Sequence, residues 1–164
     1  MAVDLHGFDT LTGNDNYFED FTVGDSYEHA RGKTVTEMDG VLITNLVMNT
    51  AQGHFNEHQM AQGPLGQRIV FGGVTAAMVI GLAMQDTGEQ ALAELGLDRV
   101  RFRTPVFHGD TLYAFSEVLE KDDAGRPDAG EVRFLHRGLN QHGTLVFEGE
   151  RRVLIKKRPA VVAP

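Results

Sequence analysis

The period of the apolar positions changes near the middle of the chain. From Thr36 onward Met38, Val41, Leu42, Leu46 and Val47 recur three and four apart, the spacing of one helix face. Thr36 and Asp39 precede that run at capping-box spacing, with Asp in place of the preferred Glu. A helix therefore opens at Thr36 and fades at Asn49-Thr50. Residues 49–68 read as a long polar loop rich in Gly, Gln, His and Asn, and loops of that length are functional or disordered. Gly72-Gly73 starts a second helix, with Val74, Ala76, Val79 and Leu82 among apolar residues on every side. Such a helix is buried on most sides. Asp86-Thr87-Gly88 breaks it, and Glu89 to Leu95 reads as a short amphipathic piece ending at Gly96.

Beyond that point the period is two. Val100, Phe102 and Thr104 alternate with Arg99, Arg101 and Arg103, and Pro105 ends the run. Leu112 to Val118 alternates after a His108-Gly109-Asp110 turn, Val132 to His136 alternates again, and Thr144 to Lys156 forms a last strand after a turn at Asn140–Gly143. An earlier strand is expected at Ser26–Arg31. The order is strand, helix, loop, buried helix, then about four antiparallel strands, an α+β layout with one helix against an antiparallel sheet. Residues 1–16 read as a loose arm, 17–158 as one domain and 159–164 as a tail.

The chain has 164 residues, enough for one self-supporting core. Its net charge of −8 makes it a poor nucleic-acid binder. It has no cysteine, so disulfides, thiolate catalysis and Cys-ligated zinc drop out. Met1 to Asp20 lacks the basic and apolar regions of a secretory signal. The longest nearly uncharged stretch, Ile69–Gln85, is shorter than the ~20 residues of a spanning helix. No membrane insertion is expected, and the cytoplasm is the expected location.

Candidate chemistry starts with the histidines. His6 and His29 lie in polar contexts and read as inert surface. His136 and His142 sit on or beside a hairpin and read as structural or surface residues, and His108 as a turn residue. His54 and His58 stand four apart in the long loop, with Glu57 between them. They are either part of a solvated loop or an imidazole delivered to the mouth of the buried helix. Gly53 and Asn56 argue against the helix that a His-x-x-x-His metal site needs. Gly72-Gly73 allows a substrate carbonyl to approach unpaired N–H groups at a helix start, or else serves tight helix–sheet packing. Arg99, Arg101 and Arg103 share a strand face, which suits a phosphate or carboxylate, or a solvated or intersubunit salt network.

These residues bring a resemblance with them. Gly32 to Asp39, Met48-Asn49 to His54, Arg68-Ile69-Val70-Phe71-Gly72-Gly73, Arg101-Phe102 with Pro105 to Leu112, and His136 to Gln141 together resemble the MaoC-like dehydratases. These form the (R)-specific enoyl-CoA hydratase branch of the hotdog fold. The resemblance runs from about Tyr17 to Arg158 and is narrowest to the mesaconyl-CoA hydratases (β-methylmalyl-CoA dehydratases) and itaconyl-CoA hydratases.

The resemblance implies one hotdog domain, a curved antiparallel sheet wrapped around the helix from Gly72. It implies reversible addition of water to an enoyl-CoA, with a branched short-chain dicarboxylyl-CoA such as mesaconyl-CoA as substrate and no cofactor or metal. It also implies a homodimer or higher homo-oligomer. The family motif Asp-x-x-x-x-His places its His on His54 and its Asp on Asn49, which is a departure, since an amide cannot exchange a proton at neutral pH. Either His54 carries proton transfer largely alone, or Glu57 helps, or the site is weakened. Gly72 falls on the glycine whose N–H binds the thioester oxygen, with Gly73 and Arg68 as candidate substrate contacts. Phe71 stands where histidine is common. The alternatives are a hotdog acyl-CoA thioesterase, disfavoured because the helix carries no Asp or Glu before Asp86, and a non-catalytic partner subunit of a hydratase, favoured by Asn49 and opposed by His54.

Overall fold

The computed structural model describes residues 16–123 and 125–159. The expected arm and tail, and His6, lie outside them except for Asn16 and Pro159. Strand β1 (Ser26–Thr34) is followed by α1 (Glu37–Leu46), the single-turn α2 (Glu57–Met60) and the long helix α3 (Gly72–Thr87). Strands β2 (Ala91–Phe102), β3 (Thr111–Asp122), β4 (Ala129–Asn140) and β5 (Leu145–Lys156) complete the chain. All pairings are antiparallel, in one sheet ordered β1-β3-β4-β5-β2. Helix α3 packs against β1, β3, β4 and β5. This is the α+β arrangement that the resemblance implied.

Alternation explains the inner sheet face. Leu112, Ala114, Ser116 and Val118 on β3, and Val132, Phe134 and His136 on β4, are buried while their neighbours are half-open. Val74 and Val79 of α3 meet Leu112, Ala114 and Phe147 in one core cluster. Phe21, Val118, Phe134 and Ile155 form a second, with the Phe21 and Phe134 rings edge to face at 5.1 Å. The buried Arg151 donates to Thr87 O (3.3 Å) and Thr87 Oγ1 (3.2 Å), bringing a cation to the carbonyl end of α3.

Three sequence expectations need correction. Within Glu89–Leu95, Ala91 onward belongs to β2 instead of a helix, because pairing with β5 overrides the helical preference of Ala, Leu and Glu. Three register shifts accompany that pairing, and Arg99 at one of them takes a φ of 49°. The arginines therefore do not form one regular row. Helix α3 is buried on most sides, as expected, with Ala77, Gly81 and Gln85 exposed. Finally, His29 is a core residue, 1% exposed.

The capping box at Thr36 is present: Asp39 N donates to Thr36 Oγ1 (3.2 Å) and Thr36 N donates to Asp39 Oδ2 (2.9 Å). Yet the apolar stripe it introduces points outward. Met38, Leu42, Leu46 and Val47 are exposed, while Gly40 and Thr44 are buried. The His108 ring fills the space where a Gly40 Cβ would stand, 2.3 Å from Nε2, so only glycine lets α1 lie this close.

Candidate active site

The loop from Asn49 to Arg68 is folded back on the segment that enters α3. Ile69 N donates to Gly53 O (3.1 Å), and His54 Nδ1 lies 2.9 Å from Ile69 O. A carbonyl can only accept, so Nδ1 carries a proton, and in the neutral imidazole the lone pair is on Nε2. The imidazole rests beside the Phe71 ring, centroids 5.6 Å apart.

Phe71 is also the N-cap of α3, and it supplies no side-chain cap. Val74 N and Thr75 N turn back to Phe71 O, while Gly72 N and Gly73 N meet no acceptor among the described residues. No acidic residue occupies the first turn. The positive end of the helix is therefore open to an oxygen from outside. Both glycines are also packing requirements. A Cβ on Gly73 would stand 2.4 Å from the Phe71 ring, and one on Gly72 would stand 3.0 Å from the Phe102 ring. The two alternatives for Gly72-Gly73 are thus compatible.

His54, Gly72 and Gly73 line one cavity of about 570 Å³. Ile69, Val70 and Phe71 form one wall, Phe102 to Val106 another, with Thr75 and Val146 behind. That wall is apolar apart from His54, Thr75, Arg103 and Thr104, the usual composition of a small-ligand site.

The other candidates lie outside this lining. Asn49 Oδ1 accepts from Ala51 N (3.0 Å), a turn that launches the His54 loop. Arg68 donates to Glu57 (2.7 Å) and to Glu37 (2.9 Å), tying the loop to α1. Arg68 holds the Glu57 carboxyl below its ordinary range, which suits a fixed anion better than a proton donor. His58 is exposed, and its ring lies 3.4 Å from Gln62 Nε2. Among the described residues no three His, Asp or Glu side chains gather as a metal would require.

Sequence reasoning missed a buried chain at the opposite end of α3. Asp86 Oδ2 lies 2.6 Å from His29 Nδ1, His29 Nε2 lies 2.7 Å from Ser116 Oγ, and Ser116 Oγ lies 2.7 Å from His136 Nδ1. All four side chains are buried. Burial lowers the His29 pKa, partly offset by Asp86, and lowers that of His136 to about 3, with the Arg151 charge adding to the effect. Inward alternation on β3 and β4 was the signal for Ser116 and His136. Nothing in the local pattern of β1 marked His29.

The family model for mesaconyl-CoA hydratase matches residues 4–157. The chain belongs to that family. A mesaconyl-CoA hydratase from Haloarcula marismortui is 35% identical over 161 residues, covering 90% of this chain and 44% of that protein. A β-methylmalyl-CoA dehydratase from Chloroflexus aurantiacus is 36% identical over 74% of this chain and 34% of its own length. The structure of a MaoC domain protein dehydratase from Chloroflexus aurantiacus superposes with a TM-score of 0.83 at 29% identity, covering 90% of this chain and 46% of that one. The chain thus spans less than half the length of these family members. A Mycobacterium tuberculosis protein described as having a double hotdog fold shares the fold at a TM-score of 0.78 and 21% identity, and 46% of it is covered.

Proposed function

We propose that this chain catalyses reversible addition of water to the double bond of a short dicarboxylyl enoyl-CoA such as mesaconyl-CoA. One observation carries the reading: an imidazole with Nδ1 committed to Ile69 O and the unpaired N–H groups of an uncapped helix open into the same apolar cavity. The thioester oxygen would accept from Gly72 N–H. His54 Nε2 would take a proton from water as its oxygen bonds to the β carbon, and the displaced electron pair would move to the thioester oxygen. The imidazolium would then return that proton to the α carbon as the carbonyl reforms. No cofactor or metal enters this sequence. Asn49 would act through the loop turn, with Glu57 and Arg68 bracing the loop.

The reading includes a second copy of the chain. Strand β2 is a sheet edge, and it exposes Leu92, Leu95, Leu97 and Phe102. A long apolar edge is a template for pairing, and Phe102 reaches from it into the cavity wall. No helix among the described residues is long and apolar enough to cross a membrane, and a cytoplasmic enzyme acting on a CoA ester fits that.

The test is the enoyl-thioester absorbance of mesaconyl-CoA and crotonyl-CoA, offered separately to the purified protein. Loss of absorbance that disappears in His54→Ala supports the reading. Release of free CoA thiol would replace it with a thioesterase. No reaction from a folded sample would point to a non-catalytic partner subunit, which Asn49 in place of the family Asp favours.

A further inference from the structure

The cavity wall contains one permanently charged side chain, Arg103. It directly follows Phe102, whose ring roofs the first turn of α3 at Gly72. Its backbone N donates to Val146 O (2.9 Å), so the strand pairing continues past the end of β2 and fixes where the side chain begins. One terminal nitrogen of the guanidinium meets Glu148 Oε1 on β5. The side chain stays 48% exposed, against 22% for Glu148. A guanidinium carries five donors in a planar fork, so this single contact leaves most of the fork uncommitted. Arg99 makes a comparable single contact, to Glu150 (2.9 Å), but lies outside the cavity lining, and Arg68 is held by two carboxylates.

We infer that Arg103 is the residue that selects acyl-CoA esters ending in a carboxylate, by receiving that carboxylate on the free edge of its guanidinium. The inference rests on the acyl-CoA reading of the cavity and deepens it to one side chain. The physical reason is desolvation. Ile69, Val70, Phe71, Pro105, Val106 and Val146 can accept the carbons of an acyl chain, but they cannot replace the hydration of a carboxylate. A charge brought against such a wall needs a paired, planar donor, and arginine matches a carboxylate bidentately where lysine does not. The contact with Glu148 restrains the guanidinium, so Arg103 loses less freedom when substrate arrives.

Binding of two unreactive C4 esters separates this inference from the hydration reading. Succinyl-CoA ends in a carboxylate and butyryl-CoA ends in a methyl group, and neither has a double bond to hydrate. Calorimetry on the wild-type protein should show succinyl-CoA binding at least ~10-fold more tightly, the size expected of a charge-assisted pair. Arg103→Met should collapse that ratio to near one, and Arg103→Lys should restore part of it. Arg103→Gln supplies a second truncation should the Met variant not fold. Equal wild-type affinities, or a preference that survives Arg103→Met, would overturn the inference. If the succinyl preference follows Arg103 while mesaconyl-CoA is not hydrated, the reaction fails and the carboxylate site stands. If mesaconyl-CoA is hydrated with no succinyl preference, the reverse holds.

Discussion

His54 Nδ1 lies 2.9 Å from the carbonyl oxygen of Ile69, two residues ahead of the Phe71 cap of α3. The segment that delivers the helix N-terminus therefore also sets the tautomer of the imidazole beside it. The proposed proton acceptor and oxyanion donors are therefore tied to one stretch of backbone.

That coupling predicts the effect of removing the ring. His54→Ala should lower kcat for enoyl-CoA hydration by ~10²–10⁴-fold, the usual worth of a positioned acid–base group. Thioester binding at the helix N-terminus should persist, so KM should change far less. Steady-state rates at several substrate concentrations test this. A fall confined to KM would assign His54 to binding.

Gly73→Ala brings a methyl group to within 2.4 Å of the Phe71 ring. The ring must move, and it is the ring against which His54 rests. We expect a loss of about 1–3 kcal/mol in stability from overpacking, together with reduced kcat. The double variant Gly73→Ala, Phe71→Leu should recover most of the stability. Denaturant melts of the three proteins decide it, and an unchanged midpoint for the single variant would show that the ring has room to shift.

Legibility followed the periodicity. Strand β3 and the middle of β4 alternate cleanly because one face of each is buried, β5 alternates only in part, and α3 announces itself by its apolar run. His54 and Gly72 were placed by a motif, and the cavity unites them. Strand β2 was half hidden because an exposed edge does not need alternation, and its leucines and glutamate resemble a helix. The outward stripe on α1 was periodic yet uninformative about direction, since what turns Gly40 inward is His108, which lies far along the chain. His29 was misplaced for the same reason: its partners Asp86 and Ser116 come from α3 and β3.

Asn49 offers a gain-of-function test. Its Oδ1 accepts from Ala51 N at 3.0 Å, a bond that a carboxylate can also make. Asn49→Asp should therefore fold as the wild type does and restore the ionisable group of the family motif. If proton transfer rests on His54 alone in the wild type, kcat should rise by at least about tenfold. Rates measured on matched, folded samples would settle the matter. An unchanged or lower kcat would leave Asn49 with only its turn.

The buried chain at the far end of α3 makes stability depend on pH. His136 titrates at about 3 in the folded protein, against an ordinary 6.5. His29 is shifted in the same direction by burial, against the pull of Asp86. As pH falls through about 6.5 the unfolded chain takes up these protons and the folded one does not, so stability drops with falling pH. From pH 7.5 to 5.5 the loss due to His136 alone should be about 1 kcal/mol, before the carboxylates begin to titrate. The groups around it are fixed: His29 from β1, Asp86 from α3, Ser116 from β3 and Arg151 from β5. Urea midpoints at the two pH values should fall together with pH in the wild type, and the slope should be shallower in His136→Asn. A midpoint that is flat across this range, or a slope undiminished in the variant, would mean that the His136 ring takes up protons in the folded state as it does in the unfolded one.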